Sequence, residues 1–177
     1  LPVSRVQVAL GSGGSFIAIT IDTEAKHLSA VVTCVHDHRR SSYIEILQNC
    51  PIYNARIFDQ VKDKKIAADF KVELVHGEPV VFGKEREQGI RLNHDTLKLE
   101  LVDATNEDVL VHDETNKILA TMLATMKGPD FPVAVGVIYR EDKSSYLDDS
   151  QQQLISVRAA KGSMQELLHS GHIWDVE

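Results

Sequence analysis

YIEILQNCPIYN, residues Tyr43 to Asn54, is the stretch on which the reading of the fold turns. Tyr43, Ile44, Ile46 and Leu47 form a β-prone run broken only by Glu45. Pro51 stops it, because proline lacks the N–H that a central ladder requires. Gln48, Asn49 and Cys50 fall between the strand and the stop. In α/β proteins the position just past the carboxyl end of a buried strand is where ligands tend to be held. Three readings of Cys50 compete at this point. It can be a small buried hydrophobe, the usual fate of a free cysteine. It can be a nucleophile, although no motif supplies the base or the depressed pKa that this requires. It can be a metal or cluster ligand. An iron–sulfur cluster typically takes four cysteines and the chain has 2, so Cys50 would be one ligand of a set completed elsewhere.

Working outward toward the N-terminus, Phe16 to Ile21 is a β-branched and aromatic run, expected as a buried strand. Asp22 or Thr23 should cap a helix from Glu24 to about His38, with Leu28, Val31, Val32 and Val35 as its buried stripe. Cys34 lies off that stripe, and Arg39 and Arg40 complement the dipole at the helix end. His36, Asp37 and His38 suggest a metal cluster, but side chains at i and i+2 on a helix diverge by about 200°, so the two imidazoles cannot share an ion. The GSGG run at Gly11 to Gly14 suggests a phosphate loop. It lacks both the later Gly-Lys-Ser/Thr and a clear preceding strand, so it reads as a turn.

Beyond Asn54 the character changes. Residues 55–109 carry the basic run Lys62 to Lys65 and two apparent hairpins. The first pairs Val72–Val75 with Val80–Phe82 around His76-Gly77-Glu78-Pro79. The second pairs Ile90–Leu92 with Leu97–Val102 around Asn93-His94-Asp95. This reads as a β-rich insertion that lies outside the main core. The α/β domain resumes over 110–140, with a strand at Val109–Val111, a helix from Asp113 to about Lys127, and a continuous apolar strand at Val133–Tyr139. His112, Asp113 and Glu114 invite a catalytic or metal reading, but helix capping explains the two acids without function. Residues 141–177 form a mostly helical tail. Tyr146 and Leu147 precede a helix through Leu154 to Ala160, Ser163 and Glu166 form a capping box for a helix at Met164–His169, and Trp174 is the expected anchor. Strand–helix–strand on both sides of an excursion indicates an α/β domain with a largely parallel sheet and flanking helices.

Composition narrows the function classes. The chain has 177 residues, 43% hydrophobic and 25% charged, as in an ordinary globular domain. A formal net charge of −7 argues against a nucleic-acid partner. No apolar run approaches the ~20 residues of a membrane span. The 2 cysteines fit a reducing cytoplasm better than a disulfide framework.

The segment LQNCPIYN resembles the QNC/QPC-P-x-[YF]-N signature of the β subunits of 2-oxoacid:ferredoxin oxidoreductases, of the 2-oxoglutarate type. Supporting matches occur in order: ALGSGGSFIAITIDTEAKHL from Ala9, HGEPVVFGKEREQGIRL from His76, LVHDETN from Leu110 and LLHSGHIWDV near the end. The resemblance implies the later half of a thiamine-diphosphate-binding domain, first over residues 1–54 and then over 110–140. It also places a helix at Pro2–Leu10, with the glycines as its C-terminal turn. It makes Cys50 the fourth ligand of a [4Fe–4S] cluster close to thiamine diphosphate, with Asn49 and Asn54 as neighbours able to donate hydrogen bonds to the cluster sulfurs. It further implies Mg²⁺, an α subunit, ferredoxin, coenzyme A and a 2-oxoacid, in a hetero-oligomer. The family's C-x-x-C pair and its G-D-G-D stretch have no match here, and the chain starts at Leu1. It is therefore expected to be a fragment that is inactive alone. After Asn54 the family's Asp-Gly and aromatic are replaced by Ala55, Arg56, Ile57 and Phe58. The rival reading is a non-catalytic interaction or assembly domain that retains the fold.

Overall fold

Six consecutive side chains from Phe16 to Ile21 are removed from water, and this burial organises the first part of the molecule. The computed structural model describes residues 3–159, 162–171 and 174. They fall into two units, Leu1–Asp142 and Lys143–Glu177. The first contains α1 (Arg5–Gly11), β1 (Phe16–Ile21), α2 (Ala25–Asp37), β2 (Ser42–Leu47), α3 (Asp59–Lys62), α4 (Ala67–Phe70), β3 (Lys71–Leu74), β4 (Val81–Phe82), β5 (Gln88–Asn93), β6 (Lys98–Asp103), α5 (Lys117–Leu123) and β7 (Val133–Arg140).

The main sheet has four strands in the order β2-β1-β7-β3. β1 runs parallel to β2, from Phe16 opposite Ser42 to Ile21 opposite Leu47, and β3 runs parallel to β7. β1 and β7 pair antiparallel, with a register shift between Ile17 and Ala18. Alternation then divides β1 between two layers. Ile17, Ile19 and Ile21 join Val6, Leu10, Leu119 and Leu123 from α1 and α5 in one cluster. Phe16 and Ala18 meet Val31 of α2 in another. A strand covered on both faces has no polar face to display, which is why its sequence is almost continuously apolar. Burying each of these large side chains contributes on the order of 1.5–3 kcal/mol. Thr20, fully buried among them, is satisfied by its hydroxyl 2.8 Å from His27 Nδ1.

The structure corrects several expectations. β2 is an edge strand, not a buried one, and only Leu47 is fully buried. The α2 N-cap position is held by Glu24 without a side-chain hydrogen bond, and Asp22 instead pairs with Lys62 at 2.6 Å. α5 is shorter than its apolar stripe suggested. Asn116 caps it by accepting from the Ile118 and Leu119 amides, and Asp113 turns to the Thr115 amide. Residues Val109 and Val111 make only isolated bridges, to Arg91 and Pro79. The expected start at Pro2 lies outside the described residues, and α1 begins at Arg5 with Ser4 as its cap.

The largest correction concerns the excursion after Asn54. Val72 to Val75 do not pair with Val80 to Phe82. Residues Lys71–Leu74 instead form β3 at the edge of the main sheet, opposite Val133–Gly136. The approach is close: a Cβ on Gly136, whose φ is +107°, would lie 2.6 Å from the Leu74 carbonyl oxygen. The β5–β6 hairpin is present, turning at Asn93, and joins β4 in a separate three-stranded antiparallel sheet. Val72, Leu74, Val80, Phe82 and Ile90 all belong to the same core cluster as β1. The excursion is built into the core.

The second unit holds α6 (Tyr146–Ala159) and α7 (Met164–Leu168). The capping box forms as expected, with the Glu166 amide donating to Ser163 Oγ and the Ser163 amide donating to Glu166 Oε2. α6 begins at Tyr146, earlier than expected, and Ala160 lies outside the described residues. Trp174, the expected anchor, is 81% exposed.

Because β3 completes the sheet, replacing residues 62–104 with a short Gly/Ser linker is expected to abolish cooperative unfolding, as followed by circular dichroism in urea. A sharp two-state transition in that deletion would show that the core is complete without the excursion.

Candidate functional site

β1 and β2 run parallel, so their carboxyl ends lie at the same end of the sheet, and the Cys50 loop leaves from there. The loop is closed by backbone. The Cys50 amide donates to the Asn54 carbonyl at 3.1 Å, and the Asn54 amide returns a bond to the Cys50 carbonyl at 3.0 Å. Pro51 sits inside this clasp, where no N–H is demanded of it. The clasp aims main-chain amides at the partly exposed thiol. Those of Tyr53, Ile52 and Asn54 hold the Cys50 pKa below the ordinary thiol value, against an opposing effect of desolvation. Amides stabilise the thiolate, the form of cysteine that binds metal or attacks an electrophile. Ile52 and Tyr53, at the tip, are 84% and 90% exposed.

A second set of bonds fixes the loop to α3. Asn49 Nδ2 donates to Asp59 Oδ1 at 2.8 Å, and Asn49 Oδ1 accepts from the Phe58 amide at 2.9 Å. Asp59 also receives Arg56 Nε at 2.7 Å; Arg56 chiefly, with Asn49 and Lys62, keeps its carboxyl below the usual range. Two ion pairs, Lys62–Asp22 and Lys71–Glu24, then tie the excursion to the turn between β1 and α2.

The expected site residues are thus placed as follows. Cys50 stands at a strand's carboxyl end with amides facing its sulfur. Asn54 contributes through its backbone. The side-chain hydrogen bonds of Asn49 run to Phe58 and Asp59 within the loop. Cys34 packs against the cluster of Phe16, Ala18 and Val31. Among the described residues no group of three or more His, Cys, Asp or Glu side chains is arranged to hold a metal ion. The chemistry at Cys50 fits one thiolate ligand of a set completed by other residues.

The histidines resolve differently. His36 is exposed, whereas His38 is half-buried, with Nε2 2.9 Å from the buried Ser15 hydroxyl. His112 is 1% exposed and knits three segments together. Its amide donates to Glu78 O, its carbonyl accepts from the Gly77 amide, each at 2.8 Å, and Nε2 donates to Val137 O at 2.8 Å. That bond fixes the Nε2–H tautomer and leaves Nδ1 buried without a partner.

No protein-family profile matches the chain. Along its length it is similar to the 2-oxoglutarate oxidoreductase subunit KorB of Mycobacterium tuberculosis: 29% identical over 184 residues, taking in 99% of this chain and 49% of that one. The resemblance carried by QNCPIYN extends over nearly the whole chain. The chain spans about half the length of that curated relative. Its fold matches a 2-oxoglutarate:ferredoxin oxidoreductase from Magnetococcus marinus, solved with 2-oxoglutarate, coenzyme A and succinyl-CoA bound. The TM-score is 0.57, with 96% of this chain and 44% of that one covered. At 14% identity the likeness bears on the fold alone.

Burial lowers the pKa of His112 from 6.5; the Val137 carbonyl, Glu114 and Asp113 act the other way, and His76 adds to the lowering. Well above pH 6.5 the ring is neutral in both states and its contribution to stability is complete. As the pH falls below that value the unfolded chain takes up a proton that the buried ring resists, so stability is lost down through the folded-state pKa. His38, also lowered by burial, adds a slope of the same sign. The His112→Gln variant should therefore show a shallower fall in urea midpoint between about pH 7 and 5 than the parent chain. An unchanged slope would mean that His112 does not titrate as its burial requires.

Proposed function

We propose that this chain forms the cysteine-bearing part of the thiamine-diphosphate-binding β subunit of a 2-oxoacid:ferredoxin oxidoreductase, and that Cys50 is one of four ligands of its [4Fe–4S] cluster. The observation that carries this reading is the amide-lined thiol at the carboxyl end of β2, within the segment that matches the family signature. A cluster thiolate needs its negative charge stabilised, and hydrogen bonds to sulfur are among the levers that set a cluster's potential. The amides of Ile52, Tyr53 and Asn54 would perform that task here, Asn54 through its backbone. The exposed Ile52 and Tyr53 side chains would shield the thiol from water once a neighbouring segment covers the loop.

In the assembled enzyme, thiamine diphosphate with Mg²⁺ would supply the carbanion chemistry for decarboxylating a 2-oxoacid, and the cluster, held in part by Cys50, would supply one-electron transfer toward ferredoxin, with coenzyme A as the acyl acceptor. The substrate on this reading is 2-oxoglutarate. The residues that clamp Mg²⁺ and diphosphate have no match in this chain, so alone it is inactive. The reading places it in the cytoplasm, in a hetero-oligomer with an α subunit. Exposed apolar residues in the second unit, Leu154, Ile155, Leu167 and Leu168 among them, suit a chain with a partner. Among the described residues no helix is long and apolar enough to cross a membrane.

The test compares Cys50→Ser with Cys34→Ser in the complete subunit, purified anaerobically with its partner. Serine is close in size to cysteine but a poorer iron ligand, so Cys50→Ser should lose iron, charge-transfer absorbance and ferredoxin reduction, while Cys34→Ser retains all three. A full cluster and normal ferredoxin reduction in Cys50→Ser would overturn the assignment.

A further inference from the structure

The Cys50 clasp holds its own five residues in shape, but nothing within those residues fixes how they sit on the sheet. That task falls to groups distant in sequence. Asn49, immediately before the clasp, is bonded through both ends of its amide to Phe58 and Asp59, at the start of α3. A four-residue helix cannot stand alone, since nucleation is costly and so few bonds repay it. α3 is held by two other contacts. Val61 is 4% exposed and belongs to the core cluster. Lys62, one residue on, reaches Asp22 at 2.6 Å, with the side chains only 14% and 29% exposed. Asp22 directly follows β1, the most deeply buried strand of the sheet.

We propose that α3 is a brace: it grips the Cys50 loop through Asn49–Asp59 and is itself anchored to the carboxyl end of β1 through Lys62–Asp22. Asn49, Asp59, Lys62 and Asp22 are on this account positioning residues for Cys50. The orientation of the thiol is referred through two polar contacts to the end of a strand whose every residue is buried. The excursion that supplies Lys62 thereby has a role at the site, and Lys71–Glu24 adds a second tie to the same turn. The final step, from an oriented loop to a cluster, rests on the proposed function; the brace does not.

Hydrogen exchange separates the two. In the 177-residue chain, Asn49→Ala and Lys62→Met should each speed exchange of the Cys50 and Asn54 amides by about tenfold, the effect of losing one hydrogen bond to a charged group in the first and one partly buried ion pair in the second, while β1 amides keep their protection. Asp59→Asn, which keeps an acceptor for Asn49, should remain close to the parent. If Lys62→Met also loses protection in β1, the exchanged pair Asp22→Lys with Lys62→Asp decides: restored protection at Cys50 and Asn54 supports the brace, and none overturns it. Unchanged exchange at the loop in both single variants overturns it outright. In the complete subunit, Asn49→Ala and Lys62→Met should release iron to a chelator faster than the parent. A loosened loop with unaltered iron release would leave the brace standing and count against Cys50 as a ligand.

Discussion

Burial of β1 on both faces is the constraint to which the first unit answers. A strand with six inward-facing positions must be covered twice, so α1 and α5 close one side and α2 the other. It must also be paired twice, so β2 and β7 flank it. β7 in turn needs a neighbour on its far edge. The chain supplies one from the excursion, as β3, whose carbonyl at Leu74 approaches so closely that position 136 can carry no Cβ. The excursion's placement follows from this requirement, not from any pattern in its own sequence.

The site is a consequence of the same frame. Parallel pairing puts the ends of β1 and β2 side by side, and the two turns that leave them carry the polar groups that engage α3 and the start of β3. Asp22 and Glu24 take lysines from the excursion, and Asn49 takes the start of α3. The thiol is then presented just past an edge strand, partly exposed, with the backbone of Ile52, Tyr53 and Asn54 favouring its charged form. A cysteine in a core would have its charge suppressed by desolvation; here backbone hydrogen bonds favour the charge on a partly exposed thiol.

Much of this was legible in the sequence. Phe16–Ile21 and Val133–Tyr139 announced themselves as continuous apolar runs, and Ser163 with Glu166 announced a capping box, because each signal is local. The hairpin around Asn93 was equally plain. What escaped was non-local. Val72 to Val75 has the composition of a hairpin strand, and only the open edge of β7, some sixty residues later in the chain, decides its partner. Asp22 has a good capping side chain but is drawn to Lys62. Nothing in the sequence around Asn49 signals that Phe58 and Asp59 fold back on its amide. Asp113 to Lys127 carries a helical stripe longer than its helix, since Asn116 is the stronger cap. His112 was masked by its acidic neighbours, and its burial comes from the approach of Val137.

Selenium placed at position 50 in place of the Cys50 sulfur, in a chain whose Cys34 is replaced by serine, offers the most direct test of the central claim. X-ray absorption at the selenium edge, recorded on the anaerobically assembled subunit, reports what the atom is bonded to. The account requires an iron scatterer at direct bonding distance, in addition to the β-carbon. A spectrum with carbon alone would contradict it.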